Sequence, residues 1–105
     1  MATLPTLTPE DRAAALLKAA QARKERAAML AELKASRISV LDILARGDDI
    51  VGRTLVRQVL ESLPGVGKVR ASRHLIDLGI SDTRRVQGLG QRQRERLIQL
   101  FPPQA

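Results

Sequence analysis

Apolar positions recur along this chain with a helical period almost from end to end. After Thr8, residues Ala13, Leu16, Leu17, Ala20, Ala27, Leu30 and Ala31 predict one long helix reaching about Ala35. Thr8 stands at its cap, Pro9 at its first position, and Glu10 and Asp11 complement its dipole. Alanine content alone favours helix there. The apolar stripe is narrow and broken by Arg23, Lys24, Glu25 and Arg26, so the first half is expected to project and the second to pack. Residues 1–7 read as a loose start.

Ser39 with Asp42 three residues on is a capping arrangement ahead of Val40, Leu41, Ile43 and Leu44, a short helix that Gly47 ends. Asp48-Asp49 opens a further turn. Leu55, Val56, Val59, Leu60 and Leu63 give the spacing of a buried helix face, which Pro64 stops. Val69, Leu75, Ile76 and Leu78 mark the next helix, closing at Gly79, with Ile80 turned inward. Ser81 caps a short turn through Arg85. A last helix carries Leu97, Ile98 and Leu100 and meets Pro102-Pro103. No stretch alternates with period two, so the fold class is all-α: an N-terminal extension and long helix over 1–35, then a helical domain over 36–105.

Two short segments stand out. Leu63-Pro64-Gly65-Val66-Gly67 recurs loosely 23 residues later as Val86-Gln87-Gly88-Leu89-Gly90. The offset also aligns Leu75 with Ile98, Leu78 with Phe101, Lys68 with Gln91 and Arg73 with Arg96. Paired glycines around one apolar residue let helices turn back tightly, with the apolar residue plugging the gap. They leave N–H groups open at the start of the following helix, where the dipole favours an anion such as phosphate. Gly67 and Gly90 are the positions where such turns call for positive φ. The first site comprises Gly65, Val66, Gly67 and Lys68, with Arg70 and Arg73 adding charge. The second comprises Gly88, Gly90 and Gln91, with Arg84, Arg85, Gln87 and Arg92 beside them.

Charge sharpens the picture. Of the net +7, residues 1–50 carry eight Lys/Arg against seven Asp/Glu, hence +1, and residues 51–105 carry ten against four, hence +6. A basic half-chain calls for a polyanion. Arg92 and Arg96 share a face of the last helix, while Arg94 points elsewhere and reads as exposed. Arg53 and Arg57, and Arg23 and Arg26, are weaker candidates. There is no cysteine, and one histidine, His74, builds no metal centre alone; it reads as a structural residue on a half-buried face. Phe101 is the sole aromatic residue, which disfavours stacking of unpaired bases. The glycine turns follow helices rather than strands, so nucleotide-binding loops are excluded. Asp77 and Asp82 are the nearest carboxylates to a base-excision role, and a chain of this length leaves little room for a base-sized pocket. No cofactor, small-molecule substrate or catalytic set is expected. No apolar run approaches membrane-spanning length and no signal pattern opens the chain, so a cytoplasmic protein that does not engage membranes is expected.

The segments LTPEDRAAAL (7–16), LESLPGVGKVRA (60–71) and LGISDTRRVQGLG (78–90) resemble the actinobacterial integration host factor family across nearly the whole chain. That resemblance implies a long N-terminal helix and an S13-like helix-two-turn-helix domain, related to helix-hairpin-helix elements and not to the β-arm dimers of the same name. It implies a nucleoid-associated protein that binds double-stranded DNA with low sequence specificity, bends it or changes its topology, and serves chromosome organisation and phage integration. It further implies that the Gly65–Gly67 loop meets the backbone and that Arg84 and Arg85 bind DNA. Where the family carries a third arginine in that run, this chain has Gln87, one phosphate partner fewer. The expectation is a monomeric, non-enzymatic DNA-binding protein. The alternatives are an RNA-binding or ribosome-associated S13-like protein, a protein adaptor docking through the Ala-rich helix, and a small base-excision enzyme.

Overall fold

Thr8 and Asp11 open the first helix by exchanging hydrogen bonds: Thr8 Oγ1 accepts from the Asp11 amide at 3.1 Å and the Asp11 carboxylate accepts from the Thr8 amide at 3.2 Å. The computed structural model describes residues 8–103; the loose start read for 1–7 falls outside them. Helix α1 (Pro9–Lys34) has 26 residues and, at about 1.5 Å per residue, extends roughly 39 Å. From Thr8 to Gln21 every residue is exposed, and only Met29 and Leu33 are buried, so the first half projects and the second packs. Ser36 ends it in the left-handed region at φ 59°, with its own amide bonded to Leu33 O and that of Arg37 to Glu32 O.

The remaining helices are short. They are α2 (Val40–Ala45), α3 (Asp49–Gly52), α4 (Val56–Ser62), α5 (Gly67–Leu78) and α6 (Gln91–Leu100), with one 3₁₀ turn at Val86–Gly88 before α6. Ser39 and Asp42 form a reciprocal cap on α2, which stops at Ala45, two residues before Gly47. Asp48 caps α3 by accepting from the Val51 amide at 3.0 Å. Among the described residues no strand forms; the one extended pairing is an isolated antiparallel bridge between Leu55 and Arg85.

Leu33, Ile43, Val51, Leu60, Ala71, Leu75 and Leu97 lie at the centre of the core, joining all six helices. Helix α4 packs on both α1 and α5, α3 on α1 and the 3₁₀ turn, and α2 on α6. Ala71 is fully buried on the inner face of α5. Val69 and Ile76 mark α5 in the sequence but face solvent, at 84% and 79% exposure. His74 packs edge-on against Phe101 with ring centroids 5.1 Å apart. No helix among the described residues is long and apolar enough to cross a membrane.

Candidate nucleic-acid interface

Pro64 shapes the first loop. The residue before a proline avoids helical ψ, so Leu63 is extended (ψ 138°) and α4 stops at Ser62. Gly65 at φ 77° and Gly67 at φ 65° then reverse the chain, both in the region that penalises a β-carbon. The Val66 amide bonds back to Leu63 O, and the Val66 side chain, half-buried, plugs the turn. Arg70 Nη1 donates to Gly65 O at 3.1 Å, bracing the loop from the first turn of α5. No side chain caps α5, and the amides of Gly67, Lys68 and Val69 have no acceptor among the described residues. Lys68, Arg70 and Arg73 are exposed around them.

The second loop reaches a similar end by different geometry, which corrects the expectation of two equivalent turns. Gly88 lies in the 3₁₀ turn and Gly90 is extended (φ −75°, ψ 163°), so neither has positive φ. The segment entering it is not a helix. Arg84 N bonds to Ser81 O, and the chain then pairs with the start of α4: Val56 N donates to Arg84 O at 2.9 Å and Val86 N to Thr54 O at 3.0 Å. Those bonds perform the reversal that positive-φ glycines perform in the first loop. Leu89 is buried as the plug. Gln93 reaches back to accept from the Gly90 amide at 3.0 Å, while Gly90, lacking a side chain, leaves the amides of Gln91, Arg92 and Gln93 without acceptors among the described residues. Gly88 makes room for Arg84, whose Nη1 donates to Gly88 O at 2.7 Å.

Each loop thus ends in an uncapped helix start, Gly-led and flanked by exposed cations, and both hang on α4. Leu55 at its N-terminal end is bridged to Arg85, and its C-terminal end runs directly into Leu63 and Pro64. Arg84 and Arg85 are exposed beside the second loop. Gln87 lies over α3, its Cβ and Oε1 placed 3.4 and 3.1 Å from where a β-carbon on Gly52 would sit. Arg92 and Arg96 come together, but with Asp77 they border a shallow depression between α5 and α6. Arg57 pairs with Glu61 on its own helix, while Arg53 stays exposed. Arg26 is partly buried, its Nε shielded without an acceptor.

Residues 33–101 match the S13-like H2TH domain family. The integration host factor of Streptomyces coelicolor is 54% identical over 92 residues, covering 86% of each chain. That of Mycobacterium tuberculosis is 46% identical over 100 residues, covering 93% of this chain and 95% of the other. The chain belongs to the actinobacterial integration host factor family. A solved structure of sIHF bound to an 8-bp palindromic DNA superposes with a TM-score of 0.78 at 46% identity, over 80% of this chain and 97% of that one. Both loops fall inside the region that matches the H2TH family, and most of α1 precedes it.

Two residues of this integration host factor architecture escaped the sequence reading. Arg94, taken as exposed, is half-buried: Nη2 donates to Val86 O at 3.0 Å, with longer reaches from Nε to Leu89 O (3.4 Å) and Nη1 to Leu44 O (3.5 Å). The signal was present, because Arg94, Leu97, Ile98 and Phe101 share one helical face. Thr54 is completely buried, with Oγ1 donating to Ile50 O at 2.6 Å and its carbonyl accepting from Val86. A lone threonine between Arg53 and Leu55 gave no such signal.

Proposed function

We propose that this chain binds double-stranded DNA chiefly through the phosphate backbone, with low sequence specificity, and bends it as a nucleoid-associated architectural protein. One observation supports this above the others: two glycine-led helix starts, α5 and α6, leave their first amides open amid exposed guanidinium groups. Backbone amides and a helix dipole suit a phosphate oxygen and carry no base information, which accounts for weak sequence preference. The interface comprises Gly65, Val66, Gly67, Lys68, Arg70 and Arg73 at the first loop, and Arg84, Arg85, Gln87, Gly88, Gly90, Gln91 and Arg92 at the second. The relative solved on DNA supports the choice of duplex as partner.

The reading divides the chain into an arm, 1–35, and a binding domain, 36–105, and assigns a nucleoid location with roles in chromosome organisation and phage integration. It assigns no catalytic function. Titration of several unrelated duplexes across a salt series tests it. Affinities that agree between sequences and fall linearly with log salt support it; an affinity indifferent to salt overturns it. The S13-like domain family raises an RNA reading, and competition between duplex DNA and structured RNA at one salt concentration separates the two.

A further inference from the structure

Arg94 sits on the core side of α6, beneath the second loop, and directs each guanidinium nitrogen to a backbone carbonyl. Two acceptors, Val86 O and Leu89 O, belong to that loop, the second being the carbonyl of its plug, and the third, Leu44 O, lies in the last turn of α2 across a cleft of about 300 Å³. Arg84 takes a further carbonyl of the loop, Gly88 O. The carbonyl oxygens of residues 86, 88 and 89 therefore all accept from guanidinium groups. A carbonyl facing the site would repel a phosphate; one held by a fixed positive charge has its dipole turned inward and neutralised. The amides at the start of α6 are left as the loop's outward chemistry.

We propose that Arg94 is a positioning residue for DNA binding: it holds the second loop so that the loop presents amides rather than carbonyls, and it does not itself touch the duplex. This rests on the DNA-binding reading above. Arg94 is half-buried and each of its guanidinium nitrogens already serves a backbone carbonyl, in contrast to Arg85, which is exposed. A lysine keeps the charge but cannot span carbonyls from two elements, so Arg94→Lys separates charge from geometry.

The full-length chain and the variants Arg94→Lys and Arg94→Ala are titrated with a 20-bp duplex across a salt series, with thermal melts in parallel. Arg94→Lys is expected to melt cooperatively yet bind about tenfold more weakly, the scale of one charge-assisted hydrogen bond, with an unchanged salt slope. Wild-type affinity in both variants overturns the proposal. So does a normal Arg94→Lys paired with an Arg94→Ala whose slope is shallower by about 0.9, because that is the signature of a phosphate contact. The wild-type protein gives a readout independent of variant folding. The Arg94 Nε–H resonance is expected to be protected in the free protein and to move less than that of Arg85 on adding duplex. A movement equal to that of Arg85 overturns the assignment. Absence of duplex binding by the wild-type chain would instead sink the underlying DNA reading.

Discussion

Arg84 folds back over the second loop so that its guanidinium holds the Gly88 carbonyl at 2.7 Å while its Cδ occupies the space beside the glycine. One residue therefore serves the loop's shape and its charge, whereas Arg85 next to it has its backbone bridged to Leu55 and its side chain exposed. The double variant Arg84→Ala with Arg85→Ala is expected to keep its helical circular dichroism and bind DNA more weakly. Its log–log salt slope should be shallower by about 0.9 for each phosphate left without its arginine. An unchanged affinity would remove both residues from the interface.

The two glycine turns respond differently to alanine. At Gly67 (φ 65°) a β-carbon meets open space but a strained backbone, so Gly67→Ala should cost about 1–2 kcal/mol of stability. At Gly90 (φ −75°) the added carbon makes ordinary contact with Gln93, 3.6 Å away, and Gly90→Ala should stay within about 0.5 kcal/mol of the parent. Denaturant unfolding measures both; equal destabilisation would contradict the asymmetry of the loops.

Ser36 offers the reverse case. It is the one described non-glycine residue with positive φ, at 59°, and closes α1. Ser36→Gly is expected to stabilise the fold by about 1 kcal/mol, read as a raised melting temperature, because the left-handed penalty disappears.

Gln87→Arg should bind duplex more tightly and with a salt slope steeper by about 0.9, restoring one basic group beside the second loop. The present side chain rests over Gly52, so the longer arginine must swing off α3 to act. A slope identical to that of the parent would show that this position faces no phosphate.

Acid should weaken the protein partly through Asp48. Its carboxyl is held below the ordinary carboxylate value of 3.8, first by the Val51 amide; burial opposes this, and Arg46 and the Ile50 amide add to the lowering. A folded pKa depressed below the unfolded one contributes stability that is full above the unfolded value and lost as pH falls through the folded one. Asp48→Asn, which still caps the helix, should flatten the stability profile below about pH 4 while leaving neutral-pH stability within roughly 0.5 kcal/mol. A profile parallel to that of the parent would exclude the contribution.

Much of this fold was legible because local chemistry and burial agree. Thr8 with Asp11 and Ser39 with Asp42 cap the helices they announce, and Gly79 ends α5 at φ 67° as a helix-terminal glycine does. The first loop was legible for the same reason: Pro64 and two glycines leave the backbone little choice. The second was read as a copy of the first because apolar residues and glycines align, yet alignment says nothing of what enters the loop. There the geometry comes from Thr54 and Arg84, about thirty positions apart, through backbone bonds that no local pattern encodes. Arg94 shows the limit from another side. Its helical phase placed it inward, but its charge argued outward, and only the carbonyls waiting beneath the loop reconcile the two.

Because α4 is a single short helix with one loop tied to each end, the gap between the two grips is fixed by covalent chain and main-chain bonds rather than by a hinge. On the proposed reading, a double helix held by both loops must yield to that span, and sequences that yield most readily are expected to gain occupancy although no base is read.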